Sequence, residues 1–249
     1  MKVTLIYATP GAVDLLLFTK NTRLNLSPGL MDEIKAWPEE KKMRELEYMS
    51  KTVPSSWEFV DLIFVIEGVS RAFTHQLVRT RTASYAQQAM RVANMTDFEY
   101  ETGPSIEKDV DLKYAYDGYM KEINTSYQAL LKDGAAPEDA RGILPTNIHT
   151  NIVAKYNLRA FSDLVIKRSD GRVQSEYQLA LWKMVDEVLR VWPWAELFIM
   201  PKHNESFSIL SKYLEAMVVE EIEKTGVSMH ETKGWALLKE LNIIRKAIN

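Results

Sequence analysis

The run "EFVDLIFVIEG", residues 58–68, constrains the fold most. Its β-branched and aromatic residues barely alternate with polar ones before Gly68 stops them, which reads as a β-strand buried on both faces. "KVTLIY" near the start is a second strand, and "TNIHTNIVAKYN" has the composition of a third. Helical signals fill the rest. "PGAVDLLLF" enters a helix, and "WPEEKKMRELEYMSK" opens one with Pro38 and acidic residues in its first turn. "VSRAFTHQLVRTR" reads as a helix that delivers Arg79 and Arg81 at or near its end. From Ile106 to Asp133, the residues Leu112, Tyr116, Tyr119, Met120, Ile123, Tyr127 and Leu130 keep helical spacing. "DGAAPEDARGILP" is a turn, a short helix and a proline stop. "LRAFSDLVIKR" and "VQSEYQLALWKMVDEVLRVW" are two further helices, the second ending before Pro193. No repeat, linker or low-complexity tract divides the chain. The expectation is one α+β domain over residues 1–249, with a mixed, largely antiparallel sheet flanked by helices. A helical C-terminal part follows from about residue 204.

The 249 residues carry 31 basic against 34 acidic side chains, a net charge of -3. That balance argues against a nucleic-acid surface but leaves room for a local basic pocket. No apolar run reaches membrane-spanning length and "MKVTLIYATP" lacks the marks of a signal peptide, so a soluble cytoplasmic protein with no membrane partner is expected. The chain has no cysteine, which excludes disulfides, thiolate metal sites and a cysteine nucleophile. Its ten glycines form neither of the common phosphate-cradling loops. His75, His149, His203 and His230 are scattered without metal-ligand spacing, so no metal site is expected.

The chemistry concentrates in "VRTRTASYAQQAMR", residues 78–91. Arg79, Arg81 and Arg91 stand among Ser84, Tyr85, Gln87 and Gln88, with no acidic residue between positions 68 and 96. Arg141 before "GILP" and Arg168 at a helix end add to them. A guanidinium gives two parallel charge-assisted hydrogen bonds, which suits phosphate. For each arginine alone, the ordinary alternative is a solvated helix end.

These residues carry a resemblance. "IEGVSRAFTHQLVRTRTASYAQQAMR" resembles the signature region of flavin-dependent thymidylate synthases (the ThyX family), with Gln76, Arg79, Arg81, Ser84 and Arg91 in register. "RGILPTNIHTNIVAKYNLRAFSDLVIKRSDGRVQSEYQ" is similar to the family's second conserved region, and the likeness runs over about residues 1–200. It implies reductive methylation of dUMP at C5, with methylenetetrahydrofolate as carbon donor, NADPH as reductant and FAD carrying the hydride. The absence of cysteine fits, because the unrelated thymidylate synthase attacks the pyrimidine with a thiolate.

Position by position, the resemblance implies nucleotide binding by Gln76, Leu77, Val78, Arg79, Gln87, Gln88, Ala89, Met90, Arg91, Arg141 and Arg168. Backbone N–H groups of 87–91 would wrap the phosphate, in a loop that grips nucleotide and flavin together. Arg168 would lie against the pyrimidine as the catalytic cation. The flavin would meet Ser55, Glu58, Arg79, Thr80, Arg81, Gln87, Asn157, Arg159 and Asp163. The family's homotetramer with shared active sites is expected as well. The chain departs from the family pattern where Val53, Phe59 and Thr80 replace histidines, Ala89 replaces a serine, and Gln87 and Asp163 stand for other polar residues. Two alternatives share this reading: the same chemistry on another pyrimidine nucleotide, and a nucleotide- or flavin-binding protein without turnover.

Overall fold

The structure, a computed structural model, describes residues 1–24, 26–93, 95–168, 173–199 and 204–226. Four strands, β1 (Lys2–Ala8), β2 (Asp61–Ser70), β3 (Ala83–Gln87) and β4 (His149–Asn157), form one sheet in the order β1-β2-β4-β3, every pairing antiparallel. The helices are α1 (Ala12–Asn21), α2 (Leu30–Lys35), α3 (Glu39–Thr52), α4 (Arg71–Leu77), α5 (Pro104–Glu107) and α6 (Val110–Lys132). They continue as α7 (Pro137–Ala140), α8 (Leu158–Arg168), α9 (Ser175–Val191), α10 (Glu196–Ile199) and α11 (Asn204–Thr225). The mixed α and β composition expected from the sequence is present, with a sheet that is wholly antiparallel.

One face of the sheet makes the core. Leu62, Phe64 and Ile66 of β2 and Ile152, Ala154 and Tyr156 of β4 are buried there, with Phe161, Leu164 and Val165 of α8 and Tyr177, Leu181 and Met184 of α9. Phe64 and Phe161 stack with centroids 5.4 Å apart. The expectation that residues 58–68 are buried on both faces is corrected. Ile63 and Val65 on the opposite face are only half-buried, as is Val153 beside them. The physical reason is that α4, α8 and α9 all cover the same face, so apolar residues on the other are left partly open.

The second correction concerns residues 69–81, which were expected to be one helix. Ser70 caps α4 by accepting from Phe73 N (3.0 Å), but the helix ends at Leu77. The chain turns and then forms β3, a strand the sequence reading missed. Only three inward positions, Ala83, Tyr85 and Gln87, mark its alternation, and one of them is polar. What holds it is tertiary: pairing with β4, and the Tyr85 hydroxyl, which donates toward Leu77 O (2.9 Å) or Thr80 O (3.0 Å).

Gly68 marks a bulge in β2, with φ +63 and its N–H donating to Asn151 Oδ1 at 3.0 Å. That positive φ is one that a side chain rarely tolerates. A smaller cluster of Met95, Tyr127, Ala140 and Ile148 joins α6 to the segment after β3. In the C-terminal part, α11 sets Leu214 and Val218 into the interior, and Tyr213 packs its ring 6.0 Å from Trp182 of α9. The expected final helix, "WALLKELNIIRKAI", lies outside the described residues.

Candidate active site

The segment from α4 through β3 is a helix and a strand laid side by side, and three contacts rivet them. Arg71 donates from Nη2 to Gln88 O (3.1 Å), Gln87 donates to Thr74 Oγ1 (3.0 Å), and Tyr85 reaches the end of the helix. The expected single gripping loop is therefore interrupted by a strand. Arg79 and Arg81 lie in the turn before β3, and Ala89, Met90 and Arg91 in the turn after it. The five residues of β3, roughly 13 Å from end to end, lie between these groups.

The turn after β3 has the features of an anion site. Gln88 N–H is committed to Asn151 O (3.0 Å), and its side-chain oxygen accepts from Asn151 Nδ2 (3.3 Å). Among the described residues, nothing accepts a hydrogen bond from the N–H groups of Ala89, Met90 or Arg91. Successive free N–H groups make a concavity of positive potential. Arg91 is exposed and has no ion-pair partner among the described residues.

Arg71 closes this turn from behind, and sequence reasoning overlooked it. Its Nη2 holds the Gln88 carbonyl, its buried Nε has no hydrogen-bond partner, and Arg141 lies close enough to repel it. Burial first, and then the Arg141 charge, pull the Arg71 guanidinium below its ordinary value. Arg141 donates from Nε to Glu138 O (3.0 Å). Two like charges near one another, with no carboxylate paired to either among the described residues, favour the approach of an anion. In the sequence, Arg71 is one cation in a helical pattern, and only the bulge and the N-cap bring it to Gln88. Glu176 was likewise missed. It is buried, and its carboxylate accepts from Ser70 N (2.6 Å) and Ser70 Oγ (2.5 Å), which locks the start of α4.

The other nucleotide candidates are distributed around α4. Gln76 donates to Gln174 Oε1 (2.7 Å), so its amide sits beside the start of α9. Leu77 is buried in the core, and Val78 is partly exposed. Gln87 spends its amide inside the protein, on Thr74 and, at 3.4 Å, on Thr150. Arg168, the last residue of α8, lies over the Tyr177 ring, 5.3 Å from Cζ to the centroid.

The flavin candidates other than Gln87, which ends β3 and is tied to Thr74, lie toward the other end of the strand. Ala83 pairs with Tyr156, which puts the Arg79–Arg81 turn near Asn157 and the start of α8. Asn157 Oδ1 accepts from Ala160 N (2.8 Å) and so begins that helix. Arg159 pairs with Glu58 (2.6 Å), Ser55 accepts from Arg23, and Asp163 pairs with Lys167 (3.6 Å). Arg79 and Arg81 are exposed and unpaired among the described residues, with Thr80 half-buried between them. A cofactor carrying a pyrophosphate fits this donor set, because the free guanidinium groups lack counter-charge. No group of three or more histidine, aspartate or glutamate side chains among the described residues converges to hold a metal ion.

The chain is an α+β protein whose antiparallel sheet is backed by helices, with exposed arginines beyond both ends of its edge strand β3 and no cysteine. The family model of the thymidylate synthase complementing protein matches residues 4–194, and the chain belongs to that family. It is 42% identical over 132 residues to the flavin-dependent thymidylate synthase of Sulfurisphaera tokodaii, covering 52% of this chain and 51% of the relative. It is 45% identical over 132 residues to the enzyme of that name from Sulfolobus acidocaldarius, covering 52% and 50%. In both cases the match spans about half the length of the relative. To the protein of that name from Clostridium tetani it is 32% identical over 211 residues, 78% of this chain and 84% of the relative.

Proposed function

We propose that the protein is a FAD-dependent thymidylate synthase that converts dUMP to dTMP. The observation that carries this reading is the turn after β3, where among the described residues three N–H groups have no acceptor, Arg91 stands beside them, and Arg71 and Arg141 behind have no paired carboxylate. That arrangement suits a phosphate monoester. The phosphate docks at residues 89–91 and Arg141. Arg168 then faces the pyrimidine, where a fixed cation favours the anionic form of N3 and makes C5 more nucleophilic.

The methyl group consists of a methylene carbon from methylenetetrahydrofolate and one hydride, while the C5 proton is lost. FAD, reduced by NADPH, supplies the hydride chemistry when bound. Arg79, Arg81, Asn157 and Arg159 would hold it, with Ser55, Glu58, Thr80 and Asp163 nearby. Gln76 and Gln87 serve by fixing α4 and β3. Without the family serine at position 89, the backbone N–H groups carry more of the phosphate binding.

We also infer a homotetramer with shared sites. Arg79 and Arg81 lie at one end of β3 and Arg91 beyond the other, on an edge strand of the sheet that a second copy can cover. The half-covered Ile63, Val65 and Val153 support this, as do the exposed Tyr114 and Tyr119 of α6. Among the described residues no helix is long and apolar enough to cross a membrane. With the lack of cysteine, this is compatible with work in the cytoplasm.

The test is direct. Purified protein supplied with FAD, NADPH, methylenetetrahydrofolate and dUMP should form dTMP, and the gene should restore growth without thymidine to a strain lacking thymidylate synthase. Bound flavin bleached by NADPH without dTMP formation from dUMP would refute the reading. Turnover of UMP or dCMP in place of dUMP would reassign the substrate.

A further inference from the structure

Arg168 ends α8, where an arginine side chain has many rotamers and little to choose among them. Something must hold it if it is to act as a fixed cation. The only aromatic face the structure puts against it, among the described residues, is that of Tyr177, two residues into α9. Tyr177 is 1% exposed, and its own ring is wedged against Phe73 of α4, with centroids 5.1 Å apart and planes at 52°. Phe73 is 1% exposed as well, so the support is rigid through two layers. Glu176, the preceding residue, fixes the same turn of α9 to Ser70. The chain thus anchors Tyr177 from both sides.

The hydroxyl argues that stability is not the reason for this residue. Tyr177 Oη is buried without a well-formed hydrogen bond, its one weak polar contact being with the Arg168 guanidinium, and a poorly satisfied buried hydroxyl is unfavourable. Phenylalanine would fill the core without that penalty. Burial pushes the phenol up to about 12, with the Arg168 charge and its weak hydrogen bond pulling the other way, so the ring stays neutral beside the guanidinium.

We propose that Tyr177 is a positioning residue for Arg168, its ring face holding the guanidinium in the orientation that meets the pyrimidine. A guanidinium within about 6 Å of an aromatic centroid is attracted by the ring quadrupole, the more strongly when water is excluded. This rests on the proposed assignment of Arg168 to the pyrimidine.

The experiment compares single and double variants in steady-state dTMP formation, with flavin content and melting temperature as checks on folding. Tyr177→Phe keeps the ring face and should stay within about twofold of the parent turnover number. Replacing Tyr177 by increasingly fluorinated phenylalanines keeps the shape and drains the quadrupole, and turnover should fall stepwise, by about tenfold overall. In an Arg168→Ala background, the same fluorinated series should do nothing further. Equal turnover along the series in otherwise wild-type protein would overturn the proposal, as would an undiminished effect of fluorination without Arg168. A tenfold loss in Tyr177→Phe would also overturn it, by moving the role from the ring to the hydroxyl. The parent reading fails separately: it falls if Arg168→Ala itself leaves turnover unchanged.

Discussion

Replacing Arg71 by methionine keeps a long, unbranched side chain and removes the guanidinium. In the ligand-free protein two effects oppose each other. The charge-assisted hydrogen bond from Nη2 to Gln88 O at 3.1 Å is lost, while repulsion from Arg141 and the unpartnered buried Nε disappear as well. The melting temperature should therefore barely move. Binding of a phosphate monoester is different, because the dianion neutralises both arginines at once and needs the turn that Arg71 braces. A hydrogen bond to a charged group contributes about 1.5–3 kcal/mol. About 2 kcal/mol, near the lower end because the site is partly open to solvent, corresponds to roughly thirtyfold in affinity. Titration calorimetry with dUMP and with deoxyuridine separates the contributions. The dUMP affinity should fall roughly thirtyfold, deoxyuridine should bind as before, and the salt dependence of dUMP binding should become shallower. Equal losses for nucleotide and nucleoside would mean that Arg71 supports the fold of the pocket and not its charge, and the reasoning would be refuted.

Ala89→Ser restores a hydroxyl at the free N–H turn and should tighten dUMP by about 1 kcal/mol with little change in turnover number. Arg91→Ala should weaken dUMP by more than that and leave flavin occupancy intact, both read by calorimetry and by absorbance of the bound flavin. His149 sits between Glu99 (3.4 Å) and Glu101 (3.5 Å), and these carboxylates raise its pKa above the ordinary 6.5. Its contribution to stability is then fully present below about pH 6.5 and is lost as pH rises through the folded value. Denaturant midpoints of the parent should fall across that window relative to His149→Gln, and parallel curves would remove His149 from the account. Light scattering should give a tetramer, whereas a fully active monomer would refute the shared-site assignment.

What the sequence settled by itself is the chemistry it contains and the chemistry it lacks. The missing cysteine and the density of arginines between Arg79 and Arg91 are facts of composition and order. Local signals also sufficed for elements whose stabilisation is local. Pro38 and the acids after it mark α3, and the apolar spacing of residues 112–130 marks α6. The tertiary structure decided the rest. β3 exists because β4 offers it a ladder and Tyr85 ties it to α4, contacts that no window of a few residues contains. That strand separates Arg79 and Arg81 from Arg91 and turns one expected loop into two turns. Arg71 joins the proposed anion site only because the Gly68 bulge and the Ser70–Glu176 contact aim the start of α4 at Gln88, 17 residues along the chain. The half-buried second face of β2 was also invisible in its own residues, because an apolar run records which side chains avoid water and not how many layers of protein cover them.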